Sequence, residues 1–215
     1  EGIQSFAEGN AFNHSIVYAK SSPYQRVLLT RRGTDFRLFL NGNLQFDSRD
    51  EYRYHEALVH PGLAARPDAK RILVLGGGDG LAVREILRYP QIEHIDLVDL
   101  EPLVTEIFKS RASLTHLNGS SLLQEKVTVH NADAFTWLRD HPDQYDFIVV
   151  DFPDPSNYSI GKLYTHRFYK QLETHLAPGA ALVIQSTSPY VAPKSFWCVD
   201  QTVRSVGLRT VPYHC

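Results

Sequence analysis

Methionine is absent from the 215-residue chain, and cysteine occurs only twice, at Cys198 and Cys215. Neither cysteine belongs to a CxxC pair, so we expect no disulfide framework and a reducing, cytoplasmic compartment. Because not even position 1 is a methionine, we expect the sequence to be a processed or excised piece of a longer chain.

Three further shortages exclude classes of function. The net charge is only -2 and no polybasic run occurs, which argues against nucleic acid or a membrane surface as the partner. The ten histidines show no HxxxH or HExxH spacing, so we expect no metal site. No apolar run approaches the roughly 18 to 20 residues that span a bilayer, so we expect no membrane segment in this sequence.

The sequence is organised around Arg71–Glu85, where an apolar run breaks into glycines and resumes as a helical pattern. Its first part, Ile72–Leu75, favours a central parallel strand, and Gly76 and Gly78 allow a ligand to approach the backbone closely. About twenty residues later a second apolar strand ends in Asp99, the position at which nucleotide-binding α/β folds hold a ribose diol. The two signals together predict a nucleoside site, although a glycine turn alone also fits a turn without a ligand.

Strand and helix patterns alternate after this segment and predict a parallel sheet with helices on both faces. We therefore expect an α/β fold of the Rossmann-like, doubly wound, class I methyltransferase type. Short β segments before it, with a hairpin signal at Asn41-Gly42, predict a small N-terminal antiparallel sheet. Residues 1–66 then form the hairpin region and a linking helix, and residues 67–215 form the nucleoside-binding domain. The predicted strands of the second part are residues 72–75, 95–99, 126–130, 145–150, 181–185 and 208–213.

Acidic residues follow these strands at the carboxyl edge of the predicted sheet, where a doubly wound fold binds its ligand. They are Asp79, Asp99, Glu101, Asp133, Asp151 and Asp154. Crowded carboxylates repel one another unless a cation lies between them, so we infer a cationic substrate. Helix capping is the alternative for one or two of them, such as Asp133, but the prolines of Asp151–Pro155 prevent an immediate helix.

Three motifs, Asp50–Glu56, Gly76–Gly80 and Asp151–Pro155, resemble in order and spacing those of the spermidine synthases, the polyamine aminopropyltransferases. The segments Phe152–Tyr164 and Gln185–Tyr190 look most like a bacterial branch in which this domain follows membrane-spanning helices. The resemblance implies decarboxylated S-adenosylmethionine as co-substrate, no prosthetic group, and a diamine, most simply putrescine, as acceptor. It also implies a homodimer, and it implies that the parent protein is tethered to the inner membrane with this domain in the cytoplasm.

For the donor, the resemblance implies a carboxylate at each end of the nucleoside. Asp99 matches the acid on the ribose hydroxyls, Asp133 the acid that reads the adenine amino group, and Asp79 the acid that holds the aminopropyl ammonium. The other positions that match donor contacts are Gln25, Gln45, Gly76 and Gly78.

For the acceptor, the resemblance implies that Asp151 is the catalytic acid, with Tyr54 beside the attacking nitrogen and Asp154 on the distal amine. The remaining substrate contacts that it implies are His55, Asp79 and Gln185. Elementary chemistry agrees, because an alkylamine titrates near pH 10 and must lose a proton before it can attack. The plainer alternatives are that backbone amides hold Asp151 at its strand end and that Tyr54 is a core aromatic.

The sequence departs from the family pattern in places. Phe152-Pro153 stand where two small residues are common, and Asp99 stands where many members carry glutamate. Family members also continue past the last predicted strand with another acceptor-side aromatic, so we expect part of the acceptor pocket beyond Cys215. Two other functions stay open: a class I methyltransferase, whose donor carboxylate Asp79 would repel, and a binding module without turnover.

Overall fold

A computed structural model describes residues 14–155 and 158–213. The first described elements form an antiparallel sheet in the order β1-β2-β3-β4. Its strands are β1 (Ser15–Ser21), β2 (Arg26–Arg32), β3 (Asp35–Leu40) and β4 (Asn43–Asp47). Between β3 and β4, Asn41 and Gly42 have φ angles of 50° and 81°, as a primed two-residue turn requires, so the predicted hairpin is confirmed.

A second sheet of five parallel strands has the order β7-β6-β5-β8-β9. Its strands are β5 (Arg71–Gly76), β6 (His94–Asp99), β7 (Val127–Asn131), β8 (Tyr145–Asp151) and β9 (Leu176–Ile184). The chain runs outward from β5 to β7 and then returns to β8 on the other side of β5, so the strand order reverses between β5 and β8. Gly76 pairs there with Asp151, which places the expected ligand crevice at these two strand ends.

Helices cover both faces of the parallel sheet, as predicted for an α/β fold. They are α1 (Glu51–Ala64), α2 (Leu81–Ile86), α3 (Pro102–Ser110), α4 (Ala112–Leu117), α5 (Ala134–Asp140), α6 (Tyr158–Gly161), α7 (His166–Glu173) and α8 (Pro193–Ser205). Short 3₁₀ turns occur at Ser121–Leu123 and Lys162–Tyr164.

The apolar run of β5 explains the two-faced architecture. Ile72 and Val74 are completely buried in one core together with residues of α1, α2 and α3. Leu73 and Leu75 point to the opposite face and are completely buried in a second core with residues of α5, α7 and α8. Burying each such side chain contributes about 1.5–3 kcal/mol, so β5 anchors both layers and fixes the turn that follows it.

The predicted strand over residues 208–213 is wrong. After Gly207, whose φ of 94° turns the chain, this segment has no ladder partner in the described part of the sheet. It is held by side chains, because Thr210 Oγ1 donates to Asp200 Oδ1 at 2.5 Å and Tyr213 Oη donates to the Ala57 carbonyl at 2.7 Å. These bonds tie it to α8 and α1 and keep it from the sheet edge.

Other differences concern element lengths. The sequence also predicts a helix over residues 165–176. In the structure this helix ends at Glu173, and β9 begins at Leu176, five residues before the predicted strand. Helices α4 and α6 are short and were not predicted from the sequence. The domain boundary near Pro67 stays a prediction. Cys198 is a free, exposed cysteine, and Cys215 lies outside the described residues.

Within residues 14–155 and 158–213, none of the helices combines the length and the apolar character needed to cross a bilayer.

Candidate active site

A cavity of about 550 Å³ lies at the carboxyl ends of the parallel strands, and residues of β3 and β4 form part of its wall. All twelve site residues predicted from the sequence line it: Gln25, Gln45, Tyr54, His55, Gly76, Gly78, Asp79, Asp99, Asp133, Asp151, Asp154 and Gln185. The structure thus brings these residues together around one cavity. The role of each remains a prediction.

The glycine turn at the end of β5 lets the backbone approach Asp151 and Asp99 closely. Gly76 has a φ of 84°, and a Cβ at this position would lie 2.1 Å from the Asp151 carbonyl oxygen. A Cβ on Gly78 would lie 2.7 Å from the carboxyl carbon of Asp99. The Gly78 N–H donates to Asp99 Oδ2 at 2.9 Å, a contact that only this close approach allows. The turn therefore needs glycine for steric reasons at both positions.

Asp99 and Asp79 are carboxylates whose ionisation is costly in this structure. Burial raises the pKa of Asp99 to about 6, although the Glu101 N–H, at 2.7 Å, and the Gly78 N–H both donate to it. Burial also raises the pKa of Asp79 to about 6, with His55 opposing the shift and Asp151 adding to it. A bound cation would lower both pKa values, so these groups favour a positively charged ligand.

Asp151 and Tyr54 form a hydrogen-bonded pair at the end of β8. The Tyr54 hydroxyl donates to Asp151 Oδ1. Burial raises the pKa of Asp151, while His55 and the Tyr54 bond partly oppose the shift. Burial and the nearby Asp151 charge raise the pKa of Tyr54 well above its usual value, so Tyr54 stays protonated and remains a donor. The pair presents a proton acceptor of increased basicity to the cavity.

A buried ion-pair network, which the sequence did not predict, holds His55. His55 Nδ1 lies 2.8 Å from both the backbone oxygen and Oε2 of Glu51, two acceptors, so this nitrogen carries the proton. Burial alone would lower the pKa of His55, but Glu51 together with Asp79 and Asp151 raises it. Glu51 also accepts two bonds from Arg84, at 2.8 and 3.1 Å. The i, i+4 spacing of Glu51 and His55 was the only sequence signal for this network.

Removing the Glu51 charge should destabilise the fold. We expect Glu51→Gln to lower the free energy of unfolding by about 3 kcal/mol, because the buried His55 then loses its carboxylate partner and Arg84 keeps only one of its two, Glu85. Urea denaturation measures the change. The matched control is Asp68→Asn, which breaks the exposed pair with Arg66 and should cost no more than about 0.5 kcal/mol. Equal shifts of the two midpoints would contradict the assigned role of Glu51.

Asp133 has two partners in the structure. Its side chain accepts from the Thr136 N–H at 3.1 Å, which caps α5 as the capping alternative predicted. Its other oxygen accepts from Lys162 Nζ at 2.5 Å. Burial alone would raise the pKa of Asp133, but Lys162 and the capping bond outweigh it and lower the pKa. The sequence did not predict Lys162 as a site residue, since nothing in it shows that Lys162–Tyr164 returns to Asp133.

Asp154 and Gln185 line the distal part of the cavity. Gln185 Nε2 donates to Asp154 Oδ1 at 3.4 Å, and the Tyr164 hydroxyl donates to the backbone carbonyls of the two residues between Asp151 and Asp154. Gln45, on the N-terminal sheet, lies at the exposed rim, where its Nε2 donates to the Asn43 carbonyl at 3.1 Å. Tyr164 is not among the site residues predicted from the sequence.

Among the described residues, Glu56, His60 and Glu85 bring three potential metal-ligand atoms within 4.8 Å of one another. Both oxygens of Glu85 already accept hydrogen bonds, one from Arg84 and the other from Arg88, each at 2.8 Å. A metal ion there would meet two guanidinium groups. We therefore interpret the cluster as an ion-pair network.

Comparison with known proteins supports the resemblance. Residues 51–215 match the sequence model of the spermine/spermidine synthase domain. A protein of Ralstonia nicotianae named polyamine aminopropyltransferase 2 is 56% identical over 99% of this chain and 42% of its own length. The polyamine aminopropyltransferase of Leptospira interrogans is 50% identical over 99% of this chain and 43% of its own length. The chain thus spans about two fifths of these curated relatives.

Solved structures support the fold. A spermidine synthase in complex with the transition state analogue AdoDATO superimposes with a TM-score of 0.83 at 24% identity, covering 90% of this chain and 65% of that one. The spermidine synthase of Thermotoga maritima gives a TM-score of 0.80 at 23% identity, covering 90% and 64%. The predicted Rossmann-like fold is confirmed. Together with the sequence matches, this shows that the chain belongs to the spermine/spermidine synthase family.

Proposed function

We propose that this domain transfers the aminopropyl group of decarboxylated S-adenosylmethionine to a diamine, with putrescine as acceptor and spermidine and methylthioadenosine as products. The observation that carries the proposal is the set of carboxylates, Asp79, Asp99, Asp151 and Asp154, that lines one cavity. Relatives at 50–56% identity are named polyamine aminopropyltransferases, and a structural neighbour was solved with a transition state analogue. Both substrates of this reaction are cations, as the acids require.

The donor lies along the ends of β5 and β6 in this proposal. Two backbone N–H groups hold Asp99, which leaves the carboxylate fixed for the ribose hydroxyls. Asp133 takes the adenine amino group, and Gln25 and Gln45, which line the same cavity, supply the other donor contacts. Asp79 receives the aminopropyl ammonium, and the donor's positive charge offsets the cost of ionising the buried acid.

The acceptor occupies the end of β8. Asp154 binds the distal ammonium of the diamine, and the other nitrogen lies between Asp151 and Tyr54. Asp151 accepts a proton from this nitrogen, and the raised pKa of the carboxyl makes it a better base near neutral pH. The neutral nitrogen then attacks the methylene next to the sulfonium, so that a C–N bond forms, the C–S bond breaks and its electron pair leaves on sulfur.

Holding both substrates in line supplies a large part of the acceleration. Well-oriented reactants can gain several kcal/mol relative to a bimolecular encounter. The two acids of the Asp151–Pro155 motif hold the acceptor, while Asp79 holds the donor chain, so three carboxylates define the line of attack. His55 lies beside Asp79 and Asp151, and its raised pKa keeps positive charge near both acids.

A product assay tests the proposal. The protein is incubated with decarboxylated S-adenosylmethionine and a panel of diamines, and mass spectrometry follows methylthioadenosine and the extended amine. We expect both products in equal amounts, with putrescine the preferred acceptor. Methylation of an added amine by S-adenosylmethionine would point to a methyltransferase. Tight donor binding with no product would point to a binding module.

The affinity for the donor should depend on pH. We expect it to fall by up to about tenfold per pH unit as the pH drops below about 6, because Asp79 then gains a proton and loses its charge. Isothermal titration calorimetry between pH 5 and pH 8 measures the change. Methylthioadenosine is the matched control, since it lacks the sulfonium and the ammonium, and its affinity should change less over the same range. An equal pH dependence of both ligands would contradict the role of Asp79.

A further inference from the structure

The segment between the two acids of the acceptor site has no regular backbone support. Residues 152–155 form neither helix nor strand, and Pro153 and Asp154 are exposed. Phe152 is buried and its ring packs edge-on against Phe168, with centroids 5.9 Å apart. Asp151, in contrast, ends a parallel strand. The position of Asp154 relative to Asp151 must therefore be set by side-chain contacts.

The hydroxyl group of Tyr164 contacts the backbone of this segment. Tyr164 Oη lies 3.1 Å from the Pro153 carbonyl oxygen and 3.2 Å from the Phe152 carbonyl oxygen. Carbonyl oxygens can only accept, so the tyrosine donates its proton to this pair of acceptors. Burial raises the pKa of Tyr164, which keeps the phenol protonated and able to donate.

The same hydroxyl lies near the side chain that contacts Asp154. Gln185 Oε1 is 3.5 Å from Tyr164 Oη, and Gln185 Nε2 donates to Asp154 Oδ1 at 3.4 Å. The backbone N–H of Gln185 donates to the Val150 carbonyl at 2.8 Å, so Gln185 is anchored beside β8. Tyr164 thus contacts the backbone that precedes Asp154. It also lies near the Gln185 side-chain amide, which donates to the Asp154 carboxylate.

We propose that Tyr164 is a positioning residue that fixes the separation of Asp151 and Asp154 and thereby sets the length of the diamine that the site accepts. The inference rests on the proposed function, because it assigns the two acids to the two ends of one acceptor. A diamine that is one methylene too long or too short then meets only one acid at the correct distance. Loosening the segment between the acids should weaken this discrimination.

Tyr164→Phe removes the hydroxyl and little else. We expect the KM for putrescine to rise about tenfold, as the loss of one shared hydrogen bond allows, while kcat and the KM for the donor change less than twofold. The preference for the four-carbon over the five-carbon diamine, measured as a ratio of kcat/KM, should fall several-fold. A merely structural defect would affect donor and acceptor alike.

Tyr169→Phe is the matched control. Tyr169 is completely buried in the same core, and its hydroxyl has no hydrogen-bond partner among the described residues. This variant should keep the wild-type KM values and the wild-type preference. Gln185→Leu gives a second measurement, because it removes the amide that contacts both Tyr164 and Asp154. Its effect on the preference should be less than additive with that of Tyr164→Phe.

The outcomes separate the inference from the proposed function. A wild-type domain that forms no spermidine overturns the proposed function and, with it, this inference. An active wild type overturns the inference alone if Tyr164→Phe keeps the same diamine preference as Tyr169→Phe. Melting temperatures of all variants are compared first. If Tyr164→Phe does not fold, Gln185→Leu is measured in its place. The inference is overturned if Gln185→Leu keeps the wild-type diamine preference.

Discussion

We expect Asp151→Asn to lower kcat for the proposed aminopropyl transfer by about 10²- to 10⁴-fold, the usual contribution of a general base. The asparagine amide keeps the shape of the side chain and an oxygen that can accept from Tyr54, but it cannot take a proton from the attacking amine. The affinity for the donor nucleoside should change only a few-fold, since Asp79, Asp99 and Asp133 are intact. Rates of methylthioadenosine release give kcat, and calorimetry gives the donor Kd.

Asp143→Asn is the control for this substitution. Asp143 lies in the loop before β8 and forms an exposed ion pair with Arg71 at 3.3 Å, so its loss should leave kcat within about twofold of the wild type. If Asp151→Asn retained wild-type turnover, Asp151 would not be the base. The acid would then be a strand-end carboxylate that only supports the cavity, which is the plainer alternative that the sequence left open.

We expect Gly78→Ala to weaken donor binding by about 100-fold or more. The new Cβ would lie 2.7 Å from the Asp99 carboxyl carbon, so the carboxylate must move and lose the 2.9 Å bond from the Gly78 N–H. A displaced carboxylate no longer meets the two ribose hydroxyls, and each lost hydrogen bond to a charged group costs about 1.5–3 kcal/mol. Because 1.4 kcal/mol is tenfold in Kd, losing both contacts weakens binding by about two orders of magnitude or more.

Gly161→Ala makes the same chemical change where there is space for it. Gly161 has a helical φ of -55°, and a Cβ there would meet nothing within 4 Å. Its donor Kd should match the wild-type value. Calorimetric titration with methylthioadenosine compares the two variants, and circular dichroism shows whether both are folded. An unchanged Kd for Gly78→Ala would mean that the nucleoside does not bind the Asp99 carboxylate in the position that the glycine turn gives it.

Much of the fold follows from patterns with clear physical causes. Ile72–Leu75 is apolar without alternation, and only a strand with two buried faces accommodates such a run. Asn41-Gly42 predicts its turn because both residues must adopt positive φ. The segment after Gly207 was misassigned because its contacts are side-chain bonds to distant helices, such as Tyr213 to Ala57, and periodicity carries no information about these.

The carboxylates of the candidate site could be located from the sequence because the carboxyl ends of parallel strands meet at one edge of a sheet. Strand order alone therefore predicts that Asp79, Asp99 and Asp151 lie together, and no side-chain positions are needed. Strand order does not predict the positions of Gln25 and Gln45, which come from the antiparallel sheet and were found only through the family resemblance. Long-range packing alone brings these glutamines to the cavity that the acids line.

The residues that the sequence analysis missed support other residues. Glu51 holds His55, Lys162 pairs with Asp133, and Tyr164 contacts the backbone before Asp154. Each of these contacts depends on how a loop or helix face returns to the strand ends, and local spacing does not encode that return. Sequence motifs therefore identify the residues that contact a ligand. They identify less readily the residues that hold those ligand contacts in position.

The central claim is that an acid-lined cavity selects a nucleoside that carries positive charge and no carboxylate. Calorimetric comparison of decarboxylated S-adenosylmethionine with S-adenosylmethionine at pH 7.5 tests it most directly, because the two ligands differ only in the carboxylate near Asp79. We expect the decarboxylated nucleoside to bind at least about 100-fold more tightly, as like-charge repulsion in a buried site costs several kcal/mol. Equal affinity, or tighter binding of S-adenosylmethionine, would contradict the account.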